Sequence, residues 1–116
     1  MIEFKLTGKI PSKKNTWQKG KYGQIYQSQQ NALNGLLLQL KVQKARYNNL
    51  PLKNDCRLFV CVWGDNRQDL DNQITTICDL LQKSEIIKND RQIKQIEAEK
   101  IKDNKNSRVE IEINEF

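Results

Sequence analysis

Histidine is absent from this chain of 116 residues, and no other absence excludes as much chemistry. Without it there can be no Ser-His-Asp triad, no Cys-His nucleophile pair, no histidine-bearing zinc site and no HEXXH helix. Catalysis, if any, must run on carboxylates, lysines, thiols, hydroxyls or a metal that they hold. Long apolar runs are missing too. No stretch approaches the ~20 residues of a membrane span, and the opening MIEFKLTGKI has no apolar signal core, so a soluble cytosolic protein is expected. Cysteine is sparse and odd in number: Cys56, Cys61 and Cys78. Each falls in an apolar stretch, which predicts buried thiols in a reducing compartment. There are no internal repeats, linkers or low-complexity blocks.

What the chain does have is charge, unevenly placed. It carries 20 Lys+Arg against 14 Asp+Glu, a net +6. Residues 1–50 hold nine basic side chains and the single acid Glu3, whereas residues 51–116 hold eleven basic and thirteen acidic ones. A basic half joined to an acidic half suits a nucleic-acid enzyme, with lysines on phosphates and acids on a metal. A solvated lysine-rich surface would look the same by charge alone. The length predicts a single domain, residues 1–116. Leu, Ile, Val and Phe together number 31, enough for one modest core.

Ile2, Phe4 and Leu6 alternate with charged residues, the period of a half-buried strand. Gly8 to Ser28 is polar and punctuated by Pro11, Gly20 and Gly23, and reads as a loop or loose hairpin. It interleaves Lys13, Lys14, Lys19 and Lys21 with Trp17, Tyr22 and Tyr26, cations and rings suited to a nucleic-acid backbone and unstacked bases; the rings would serve equally as core cover. A helix is predicted from an N-cap at Ser28 to about Arg46, carrying Leu33, Leu36, Leu37 and Leu40. Asn48 to Asp55 is a turn. Arg57 to Trp63 is continuously apolar and rich in β-formers, which predicts a central strand buried on both faces. Gly64 to Arg67 breaks it. A second helix runs from about Asp69 to Lys83, with Leu70, Ile74, Ile77, Cys78 and Leu81 on one face. After Lys88-Asn89-Asp90, residues 92–102 are expected to form a strand paired in a hairpin with the edge-like strand Val109–Ile113 across the turn Asp103–Arg108.

The segment Arg67-Gln68-Asp69-Leu70-Asp71-Asn72 carries the chemistry. Aspartates at i and i+2 diverge on a regular helix and converge only where a strand-to-helix bend intervenes. Asp71 is expected at the margin of the apolar helix face, partly desolvated. Asp90, just before the next strand, is expected to return to the same edge of the sheet. Three hard oxygen donors there would suit Mg²⁺ or Mn²⁺, which keep waters and take the rest of their shell from phosphate. Each residue also has an ordinary structural role: Asp69 as an N-cap, Asp71 against the helix dipole, Asn89-Asp90 as a turn pair.

Asp69-Leu70-Asp71-Asn72, Asp79 within Cys-Asp-Leu-Leu, and Asn89-Asp90-Arg91-Gln92-Ile93 together resemble the RusA family of Holliday junction resolvases. Pro11-Ser12-Lys13-Lys14-Asn15 is similar to that family's early basic loop, so the resemblance covers nearly the whole chain. It implies a small mixed α+β sheet with two helices and a homodimer that nicks two strands of a four-way DNA junction. It also implies Mg²⁺ dependence, with Mn²⁺ as a possible substitute. By position Asp69, Asp71 and Asp90 would be the catalytic metal-site carboxylates, with Asn72, Thr75 and Asp79 supporting them. Lys13, Lys14, Lys19, Lys21 and Arg67 are the expected DNA contacts. Thr75 stands where the family usually carries a lysine, and Lys13, Lys14 or Arg67 is expected to supply that charge. The competing readings are a non-catalytic junction- or single-strand-binding module on the same fold and a protein-interaction domain.

Overall fold

In the computed structural model, which describes residues 2–11, 23–65 and 67–116 (backbone alone for 23–28), the alternating segment Ile2–Thr7 is strand β1. Ile2, Phe4 and Leu6 are buried. Helix α1 spans Gly23–Lys44 and so begins five residues before the predicted cap at Ser28. Glycine punctuation was the wrong cue there, because Gln24 to Gln30 contains no proline and is rich in residues that tolerate a helix. Strand β2 is Cys56–Gly64, helix α2 is Leu70–Lys83, strand β3 is Ile93–Lys102 and strand β4 is Arg108–Glu115. A 3-10 turn, Asp90–Gln92, leads into β3. The expected α+β fold, one small mixed sheet with two helices, is the fold observed.

The sheet order is β1-β4-β2-β3. β4 is antiparallel to both β1 and β2, while β3 is parallel to β2. The predicted hairpin of β3 with β4 therefore does not form: β2 lies between them. β4 is interior, and β1 and β3 are the edges. The turn Asp103–Arg108 crosses over the end of β2 instead, with the Asp103 amide donating to the Gly64 carbonyl at 2.7 Å. The apolar strand β2 buries more by taking a neighbour on each side than by sitting beside a terminal hairpin. It is central, yet buried on one face only: Cys56, Leu58, Val60 and Val62 face the core, whereas Phe59, Cys61 and Trp63 are half-buried on the outer face.

The core lies between the inner sheet face and the two helices, and includes Leu36 and Leu40 of α1 and Ile77, Leu80 and Leu81 of α2. The buried side of α2 is rotated from the predicted one, toward Gln73, Thr76 and Leu80. Thr76 can be buried because its hydroxyl donates to the Asn72 carbonyl at 3.1 Å. The other sheet face is acidic. Register aligns Glu3, Glu112, Phe59 and Glu97 in one row across the four strands, and Lys5, Glu110, Cys61 and Glu99 in the next. These rows line a shallow depression of about 540 Å³.

Candidate active site

Because β2, α2 and β3 form a parallel crossover, the chain leaves the sheet at Gly64, descends α2, and re-enters at the opposite end. Gly64 is in register with Lys102, and Cys56 with Ile93. The carboxyl ends of β2 and β3 thus share one edge with the start of α2, the customary ligand edge of such units. Asp69 and Asp71 lie at this edge. Asp90, just before Ile93, lies at the other end, about the 20 Å length of a 14-residue helix away. Its amide donates to Gln82 Oε1 at 3.1 Å, and its charge acts on the Cys78 thiol. The expectation that Asp90 returns to the Asp69 edge is corrected by the parallel pairing. Among the described residues no group of three or more Asp, Glu or Cys side chains is close enough to hold a metal ion.

Asp69 is the N-cap of α2, with extended backbone at φ −67° and ψ 139°, yet its side chain makes no capping hydrogen bond. Its carboxylate is therefore not consumed by the helix. Asp71, in the first turn, is exposed and on the solvent side of the helix rather than at the apolar margin, because the buried face is rotated away from it. Thr75 is exposed one turn on, its hydroxyl donating to the Asp71 carbonyl at 3.0 Å. Asn72 is half-buried, and Asp79 is half-buried and not without a partner. Two exposed carboxylates at a helix start fit a hard divalent cation that takes one or two protein oxygens and completes its shell with water and phosphate.

The basic segment begins beside this pair. The Gln68 side-chain amide donates to the Ile10 carbonyl, which sets Ile10 beside the residue that precedes Asp69. Lys9 adds an ion pair to Asp65 at 2.8 Å, and the exposed Arg67 donates its amide to Asp65 Oδ1 at 3.2 Å. Both hold the Asp65 carboxyl below the usual carboxylate range, the Lys9 hydrogen bond most of all. Lys13, Lys14, Lys19 and Lys21 lie outside the described residues. Sequence reasoning passed over Asp65 and Lys100. The Lys100 ammonium donates to the Gln68 carbonyl at 2.8 Å, and the available signal was a lysine at an inward position of β3, beside Val62. At the far end, burial and then the nearby Asp90 charge push the Cys78 thiol up to about 11. Burial, then Glu115 and Asp55, does the same for Cys56. All three cysteines are free. Among the described residues no helix is long and apolar enough to cross a membrane.

Known proteins resemble the chain from the end of β1 into β4. The family model described as Endodeoxyribonuclease RusA matches residues 7–114. The chain is also 34% identical over 92 residues to the crossover junction endodeoxyribonuclease rusA of Lactococcus phage r1t, an alignment covering 72% of this chain and 70% of that protein.

Proposed function

From a chain that belongs to the RusA family of endodeoxyribonucleases, we propose a Mg²⁺-dependent enzyme that hydrolyses phosphodiester bonds at four-way DNA junctions, with Mn²⁺ able to substitute. The observation that carries this reading is the exposed Asp69–Asp71 pair at the edge where Gln68 holds Ile10 and Lys9 pairs with Asp65. Asp69 and Asp71 would hold the metal. When bound, such an ion polarises a phosphoryl oxygen and lowers the pKa of a coordinated water.

The chain's own residues do the rest. Arg67, Lys13, Lys14, Lys19 and Lys21 neutralise phosphates and hold the junction backbone against the carboxylate edge. The outer sheet face, with five glutamates and Lys5 in its two central rows, repels DNA and confines it to the loop edge and helix side. A homodimer follows from the two-fold symmetry of a four-way junction. It also offers a second copy as the means of bringing Asp90 to an Asp69–Asp71 pair, since one chain keeps them at opposite ends. A binding-only module on the same fold is the second reading, favoured by that separation.

The test is cleavage of a synthetic four-way junction under titration with Mg²⁺ and Mn²⁺. Wild type should nick two opposed strands, and Asp71→Asn should cut at least about 100-fold more slowly while still binding the junction. Cleavage by Asp71→Asn at the wild-type rate would remove the assignment. Absence of cutting with any cation, alongside salt-sensitive binding, would select the binding module.

A further inference from the structure

β3 turns inward-facing positions to the helices at Ile96, Ala98 and Lys100, and the last of these is charged. Lys100 sits in register with Val62, so its aliphatic stem lies at the inner face while its head reaches the edge of the sheet. There the ammonium donates to the backbone carbonyl of Gln68, 2.8 Å away and partly buried. Gln68 is the residue before Asp69, and its side chain is already committed to the Ile10 carbonyl. Lys100 also lines a niche of about 10 Å³ together with Lys9, Asp65 and Gln73, room for about one water. Gln73 is 8% exposed, and its side-chain oxygen is buried without a hydrogen-bond partner.

We infer that Lys100 is a positioning residue for the carboxylate pair. By gripping the Gln68 carbonyl it pins the extended backbone at Asp69, where the strand-to-helix bend must hold two aspartates at i and i+2 on one side. It acts through the backbone and does not touch substrate. This inference rests on the nuclease reading of the same edge.

Two roles for this lysine predict opposite signs. If Lys100 contributed only its charge, Lys100→Met would remove a cation from beside the carboxylates and tighten metal binding. As a positioning residue, Lys100→Met should weaken Mn²⁺ binding to the protein alone, read by calorimetry, by about tenfold. Hydrogen exchange at the Gln73 amide, which bonds the Asp69 carbonyl at 3.2 Å, should speed by a similar factor. Junction cleavage should lose kcat by about tenfold with KM held within about twofold. Lys100→Arg, which keeps the donor, should restore all three to within about threefold of wild type. Unchanged or tighter Mn²⁺ binding together with unchanged Gln73 exchange in Lys100→Met overturns the inference. Failure of the nuclease reading registers elsewhere, as wild-type cutting by Asp71→Asn, and leaves the Gln73 exchange result standing on its own.

Discussion

Gln43 grips the backbone of Lys5 with both ends of its side-chain amide: Oε1 accepts from the Lys5 amide at 2.9 Å, and Nε2 donates to the Lys5 carbonyl at 2.6 Å. Gln39 does the same for Thr7 at 2.8 and 2.9 Å, and the Tyr47 hydroxyl for Glu3 at 3.0 and 3.1 Å. The spacing works because four helical residues advance about 6 Å and two strand residues about 6.7 Å. Side chains from α1 and from Tyr47 just beyond its end thus satisfy the outward backbone groups of β1 and close that sheet edge. Gln43→Ala should cost about 1–2 kcal/mol, read as a lower urea midpoint at unchanged m-value. Gln39→Ala with Gln43→Ala should also expose a strand edge, seen as concentration-dependent association by light scattering.

That ladder illustrates what local pattern can and cannot reveal. Alternation in Ile2–Thr7 and Val109–Ile113 and the apolar run Arg57–Trp63 identified the strands, because each pattern is contained in the segment itself. Partner choice is not. The strong turn Asp103–Arg108 argued for a hairpin, yet the burial available to β2 with two neighbours prevailed. The buried face of α2 was misjudged because Gln73 and Thr76 go inward as polar residues with local or solvent-sized compensation. At the candidate site, the place of Asp69 and Asp71 at the start of α2 was legible since a strand-to-helix junction is a local feature. The position of Asp90 depends on whether β3 runs parallel to β2, which no residue near Asp90 reports.

Thr75 is exposed one helical turn from Asp71. Lysine is a better helix former than threonine, so Thr75→Lys should stabilise the protein by a few tenths of a kcal/mol, measured by urea denaturation. Its ammonium would share the solvent side with Asp71, so Mn²⁺ binding should weaken. On the proposed function, in which Lys13, Lys14 or Arg67 supplies that charge, junction cutting should stay within about threefold. A gain of about tenfold in kcat would instead identify position 75 as limiting.

Cys78 tests where Asp90 sits. With its thiol pushed up to about 11 by burial first and by the Asp90 charge second, Cys78 carries little thiolate at pH 8. Iodoacetamide should label it about 100-fold more slowly than a thiol of pKa 9, as followed by peptide mass spectrometry. Asp90→Asn should speed labelling modestly, since burial remains. The folded pKa is raised, so stability is full below the unfolded value of 9 and declines as pH climbs from about 9 toward about 11. Labelling unaffected by Asp90→Asn would argue against the observed packing of the 3-10 turn on α2.

The acid side of the pH range belongs to Asp65. Its carboxyl is held below the ordinary 3.8 by the Lys9 hydrogen bond first and by the Arg67 amide second. A depressed folded pKa contributes stability that is present above the unfolded value and lost as pH falls through the folded one. Loosening of the junction between β1 and the end of β2 is therefore expected only below pH 3.8. Carboxyl NMR titration should find Asp65 below that value in wild type and moved up toward it in Lys9→Met. Asp103, held low by Arg108 first and then by the Lys105 and Asn106 amides, should titrate identically in both proteins. An Asp65 titration indifferent to Lys9→Met would mean that the ion pair does not anchor the start of the basic segment to the carboxylate edge.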